Sequence, residues 1–176
     1  MFDINNFEDD NVWDLICEGR TKGVFQLESQ LGRSWAKKVR PKQMSELAAL
    51  ISLIRPGCLK AVTDGKSMTQ HYCDRKSNKD PVTYPDESLE DILSETYGVL
   101  VYQEQSMKIA QKLADFDLKE ADALRKAIGK KKAGLMEEVK TKFLSGAKEV
   151  GLVTTEVAEE IFSWIEKSNH TLSHMR

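Results

Sequence analysis

The chain of 176 residues is 40% hydrophobic and 31% charged, a composition that excludes a disordered polymer and suits one soluble domain with at most a small appendage. Its 26 Lys and Arg against 28 Asp and Glu give a net charge of −2, so overall charge points to no polyanion partner. No apolar run approaches the roughly 20 residues a membrane span needs, and the acidic start MFDINNFEDD is unlike a signal peptide, so a cytoplasmic location without a membrane partner is expected.

Four prolines and ten glycines punctuate long stretches with apolar residues three and four apart, so helix is expected to dominate. The first predicted helix spans Asp10 to Cys17, with Asp9 and Asp10 at its start and Gly19 closing it. GVFQLE at 23–28 reads as a short strand or as the lead into a helix running through Trp35. Met44, Leu47, Ala48, Ile51 and Ile54 stripe a helix that stops at the Arg55-Pro56-Gly57 turn. Residues 58–85 lose this pattern: RKSNKDP at 75–81 is turn-forming, and a helix near 66–75 is only weakly marked.

Asp86, Ser88 and Glu90 open a helix holding Leu89, Ile92 and Leu93, and Tyr97-Gly98 ends it. The next is expected from Val99 to Ala114. Asp117 reads as the cap of a helix carrying Leu118, Ala121 and Leu124, with Glu120 placed for a capping box and Gly129 breaking the helix. Leu135, Val139, Phe143 and Ala147 mark a long helix to Val150, capped by Gly151, and Thr155 begins a last one with Val157, Ile161, Trp164 and Ile165.

Cys17, Cys58 and Cys73 form no CxxC motif, and His71, His170 and His174 have no convincing ligand spacing, so reduced thiols and no metal site are expected. The conspicuous feature is ALRKAIGKKKAGLMEEV at 123–139. From Arg125 to Lys142 seven cations face only Glu137 and Glu138. Helix-dipole compensation accounts for Arg125 and Lys126, but Lys130, Lys131 and Lys132 at the entry of a following helix suit an anion, phosphate above all; a solvated basic surface is the alternative. Tyr102, Gln103 and Gln105 in YQEQ either stack and bond a base or pack in the core. Arg55 is either a surface arginine at a helix stop or a phosphate contact. No catalytic residue is assigned.

TKGVFQLES, ALISLIRPG, ETYGVLVYQEQSMKIAQKLADFDLKEADALRKAIGKKK, KFLSGAKEVG and EEIFSWIEKSN, in this order over roughly Asp9 to Asn169, resemble the bacterial DNA polymerase III alpha subunit, the family C replicative polymerase. The resemblance implies a mostly α, irregular multi-helix fingers domain with at most a short strand near the N-terminus. It would place the end of the palm and the entry to the fingers at 1–35, the fingers at 36–169 and a tail outside the ordered fold at 170–176. It further implies contact of Arg55, Tyr102, Gln103, Gln105, Arg125, Lys130, Lys131 and Lys132 with an incoming dNTP or primer-template DNA. The metal-binding aspartates of that family lie upstream, so Mg²⁺ would be held in the full polymerase by ligands outside this chain, which alone would not polymerise DNA. Palm, thumb and other replisome proteins are the implied partners. A non-catalytic nucleic-acid-binding module, or one piece of a split polymerase assembling with a palm-bearing chain, are the alternatives.

Overall fold

A computed structural model describes residues 9–60, 62–130 and 133–172. The chain divides into two compact units, 1–81 and 82–176.

In the first unit α1 (Asp10–Cys17), α2 (Gln30–Val39), α3 (Met44–Leu53) and α4 (Pro56–Lys60) precede a two-stranded hairpin and α5 (Met68–Lys76). The side-chain oxygen of Asp9 accepts from the Asn11 amide at 2.9 Å, capping α1 as expected. No strand forms at 23–28. Gly23 at φ 80° and Gln26 at φ 65° take left-handed backbone that a strand excludes, and Thr21 Oγ1 donates to the Leu27 carbonyl at 2.6 Å to close the turn. The carbonyl of Gln26 lies over Gly32, where an added Cβ would meet it at 2.5 Å, so only glycine lets the turn sit on α2.

The helix from Met44 ends at Leu53, but the chain does not simply turn at Pro56: proline opens α4, because its missing N–H is one the first turn would leave unpaired anyway. Strands β1 (Val62–Thr63) and β2 (Lys66–Ser67) pair antiparallel, and the weakly marked helix near 66–75 is α5. Lys66 bridges Asp74 at 2.9 Å and Asp80 at 2.6 Å, and Gln70 donates to Asp74 at 2.8 Å, tying hairpin, helix and following loop together. Leu27, Trp35, Ala36, Leu50, Leu53, Cys58 and Tyr72 are buried. All three cysteines are free and buried, and burial pushes the Cys58 thiol up to about 11.

The second unit opens with a 3₁₀ turn at Glu87–Leu89, α6 (Glu90–Leu93) and a second 3₁₀ turn at Ser94–Thr96. Tyr97 at φ 53° and Gly98 at φ 72° then end that helical run as expected. Helices α7 (Gln103–Ala114), α8 (Leu118–Lys130), α9 (Ala133–Val150) and α10 (Thr155–Leu172) follow. Helix α7 begins four residues later than its apolar pattern suggests, with Val99, Leu100 and Val101 buried outside the helix. Helix α8 does not break at Gly129 but continues to Lys130, carried by the buried Ala127 and Ile128. Lys131, Lys132 and residues 173–176 lie outside the described residues.

The core is built from Leu93, Leu100, Ile109, Leu113, Leu124, Phe143, Phe162 and Ile165. The Phe143 ring meets Phe116 edge-on at 6.1 Å and Phe162 at 5.3 Å between centroids. Helix α9 approaches α7 so closely that a Cβ on Gly146 would lie 2.3 Å from the Ala114 carbonyl oxygen.

Gly146→Ala is therefore expected to destabilise by about 1–3 kcal/mol despite alanine's higher helix propensity, whereas Gly134→Ala, with open space around it, should gain roughly 0.5–1 kcal/mol; denaturant titration of both variants measures the contrast. The hydrogen bond from Lys66, above all, holds the Asp74 carboxyl below its ordinary range. Because folding lowers that value, the stability it confers is complete above the ordinary carboxylate pKa and is lost as pH falls through the folded value. Asp74→Asn should accordingly lower stability at neutral pH and flatten its decline in acid, read as Tm against pH.

Candidate nucleotide and phosphate interface

At the start of α7, Gln105 is buried at 7% exposure. Its side-chain oxygen accepts from the backbone amides of Val101 at 2.9 Å and Tyr102 at 3.0 Å, and its nitrogen donates to the Ile92 carbonyl at 3.2 Å and to Thr96 Oγ1 at 2.7 Å. Two lone pairs and two hydrogens are all that a carboxamide offers, so none remains for a ligand. In this structure the Gln105 side chain caps α7 and fixes the extended segment before it. Tyr102 and Gln103 are partly exposed beside it. Burial, with Glu95 and Glu104 nearby, raises the Tyr102 hydroxyl pKa, so it stays a neutral hydrogen-bonding group.

Helix α8 is placed by its cap. The Glu120 amide donates to Asp117 Oδ1 at 2.8 Å and the Asp117 amide to Glu120 Oε2 at 3.0 Å, the reciprocal pair that the sequence predicts. With Ala121, Leu124, Ala127 and Ile128 facing the core, the helical period turns Asp122, Arg125 and Lys126 outward. Asp122 receives Arg125 through Nε at 2.9 Å and Nη2 at 2.6 Å, and Lys126 Nζ at 2.6 Å. Lys126, then Arg125, hold its carboxyl below the ordinary range. Sequence reasoning overlooked this bridge, although the spacing of 122, 125 and 126 announces it. One carboxylate orients two cations but leaves them half exposed, and such surface pairs are worth at most about 1 kcal/mol, little enough for phosphate oxygens to compete with.

The end of α8 carries Lys130 where the helix dipole favours a cation; Lys130 does not open α9. A three-residue turn joins α7 to α8, and the two helices pack against each other. Arg55 is exposed between α3 and α4 in the first unit. At the opposite end of α8 a cleft of about 410 Å³ is lined by Asp115, Glu120 and Glu149, with Lys142 bound to Glu120. That acidic lining does not suit a triphosphate.

Among the described residues no group of three or more His, Cys, Asp or Glu side chains converges to hold a metal ion, and no helix is long and apolar enough to cross a membrane.

Residues 2–151 match the bacterial DNA polymerase III alpha subunit finger domain. The chain is 49% identical over 153 residues to DNA polymerase III subunit alpha of Aquifex aeolicus (strain VF5), covering 85% of this chain and 13% of that protein. It is similar as well to DNA polymerase III subunit alpha of Caulobacter vibrioides (strain NA1000 / CB15N), at 45% over 92% of this chain and 13% of that protein, and of Bacillus subtilis (strain 168), at 39% over 92% and 14%. The chain thus belongs to the finger-domain family of the bacterial DNA polymerase III alpha subunit and spans about one-eighth of the length of these relatives.

The two glutamines of YQEQ should separate cleanly on substitution. Gln105→Ala leaves the buried Val101 amide, the part-buried Tyr102 amide and a carbonyl without this partner and is expected to cost about 2–4 kcal/mol, whereas Gln103→Ala should stay within about 0.5 kcal/mol of the parent; thermal unfolding of both variants measures the difference.

Proposed function

We propose that this chain serves as the fingers of a DNA-directed DNA polymerase, engaging the incoming dNTP and primer-template DNA while another part of the polymerase performs the transfer. The observation that carries the reading is the outward face of α8, with Arg125 and Lys126 oriented by Asp122 and Lys130 following on the same helix, in a chain of the finger-domain family. Lys130, Lys131 and Lys132 neutralise phosphate charge, and Arg125 exchanges its Asp122 contact for phosphate oxygens, which its planar fork fits. Tyr102 and Gln103 offer a ring face and a carboxamide to the base. Arg55, in the first unit, is a candidate phosphate contact of its own.

Positioned positive charge stabilises the negative charge that develops during phosphoryl transfer, so these residues act by binding and orienting the substrate. Mg²⁺, in this reading, is held by carboxylates outside this chain. Palm, thumb and replisome proteins are the partners, and the setting is cytoplasmic.

Replacing Lys130, Lys131 and Lys132 together by alanine is expected to change stability by no more than about 0.5 kcal/mol. The same variant should lose most affinity for dNTP and primer-template DNA and show a shallower dependence of DNA affinity on salt. Titration with labelled nucleotide and labelled primer-template tests this. A variant that binds both as tightly as the parent would remove these lysines from the site.

A further inference from the structure

The first unit carries a second basic face, separate from α8. Between Glu28 and Glu46 the sequence has no acid in 17 residues, yet it holds Arg33, Lys37, Lys38, Arg40 and Lys42. All five are exposed, and among the described residues none forms an ion pair. Residues 1–81 carry 13 Lys and Arg against 11 Asp and Glu, whereas 82–176 carry 13 against 17, so the first unit is the positive one.

Helix-dipole compensation explains only part of this. Lys37 and Lys38 lie in the last turn of α2, where a cation is favoured. Arg33 lies near the beginning of the helix, and its i,i+4 relation to Lys37 is mildly destabilising for like charges. Lys38 is held over the Trp35 ring at 4.5 Å, and the Lys37 stem lies against the turn at Gly19, so two of the cations are positioned by packing.

An exposed aromatic accompanies them. Phe25 is 81% exposed, on a turn held by the Thr21 bond to the Leu27 carbonyl. The Gln26 carbonyl next to it rests on Gly32, one residue from Arg33, so the ring belongs to the same end of α2. An unpaired aromatic on a rigid turn beside a row of unpaired cations is the combination that binds single-stranded nucleic acid: cations follow the phosphates and the ring stacks on a base. An acidic protein partner would leave the ring unexplained.

We propose that the outward face of α2, the turn before it and the segment that follows it form a docking surface for single-stranded DNA, with Arg33, Lys37, Lys38, Arg40 and Lys42 on phosphates and Phe25 stacked on a base. The choice of DNA rests on the polymerase reading above; the phosphate-and-stacking chemistry does not.

The test is fluorescence anisotropy of the 176-residue chain with labelled oligothymidylate and with labelled duplex, as a function of salt. Combined Arg33→Gln, Lys37→Gln and Lys42→Gln should weaken oligothymidylate binding at least tenfold at low salt and make the log–log salt slope shallower by about 2. Phe25→Ser should weaken single-strand binding about tenfold and leave duplex binding unchanged. The charge-conserving pair Arg33→Lys and Lys37→Arg should bind as the parent does, which separates charge from folding. Unchanged affinity and slope in the triple variant, with its Tm intact, would overturn the proposal, as would equal loss of single-strand and duplex binding in Phe25→Ser. If the variant lacking Lys130, Lys131 and Lys132 loses oligothymidylate binding while the α2 variant keeps it, the α2 surface is ruled out and the α8 site stands; the reverse result supports the α2 surface and removes only single-strand binding from the α8 site.

Discussion

The close approach of α9 to the end of α7 governs the second unit. A helical glycine ordinarily costs up to about 1 kcal/mol, and Gly146 offsets it by letting the Ala114 carbonyl come where no Cβ could be accommodated. That contact brings Phe143 between Phe116 and Phe162 and leaves α8 a place against both helices. Only with Leu124 and Ile128 seated there do Asp122, Arg125 and Lys126 face outward together. The positive face is thus a by-product of how tightly the apolar one is packed.

Charge is organised differently in the two units. On α8 one carboxylate gathers two cations, so the charge is oriented and partly offset before any ligand arrives. On α2 no acid among the described residues pairs with the cations, and rigidity comes from packing: Lys38 against Trp35, Lys37 against Gly19. Other cations are already committed within the fold, Lys66 to Asp74 and Asp80 and Lys76 to Glu46. Counting lysines would not separate these classes; tracing each to its partner does.

Features that depend on neighbours in sequence were legible from the sequence. The Asp117–Glu120 capping box, the Asp9 cap and the stop at Tyr97-Gly98 are local and appear as read. Features that depend on distant contacts were not. The apolar run from Val99 reads as helix because nothing local reveals that Gln105 will reach Ile92 and Thr96 and hold the preceding amides extended. Gly129 reads as a breaker, yet buried Ala127 and Ile128 keep α8 continuous around it. Two-residue strands at 62–63 and 66–67 leave too short a pattern to detect. Of the site, the cations and Tyr102 were visible as residue types, but the closed hydrogen-bond set of Gln105 was not. The α2 face was present in plain sight as an acid-free window, and only burial shows that its cations all point outward.

The central claim is that the lysines of the α2 face and of residues 130–132 meet phosphate, whereas those the fold holds across its own elements do not. Lysine acetylation read by mass spectrometry, with and without a bound primer-template carrying a single-stranded overhang, tests it residue by residue. The account predicts that Lys37, Lys42 and Lys130 to Lys132 lose reactivity on binding, while Lys66, Lys76 and Lys112, each already held by an acid of another element, keep theirs. Protection spread evenly over all lysines, or confined to the ion-paired set, would contradict it.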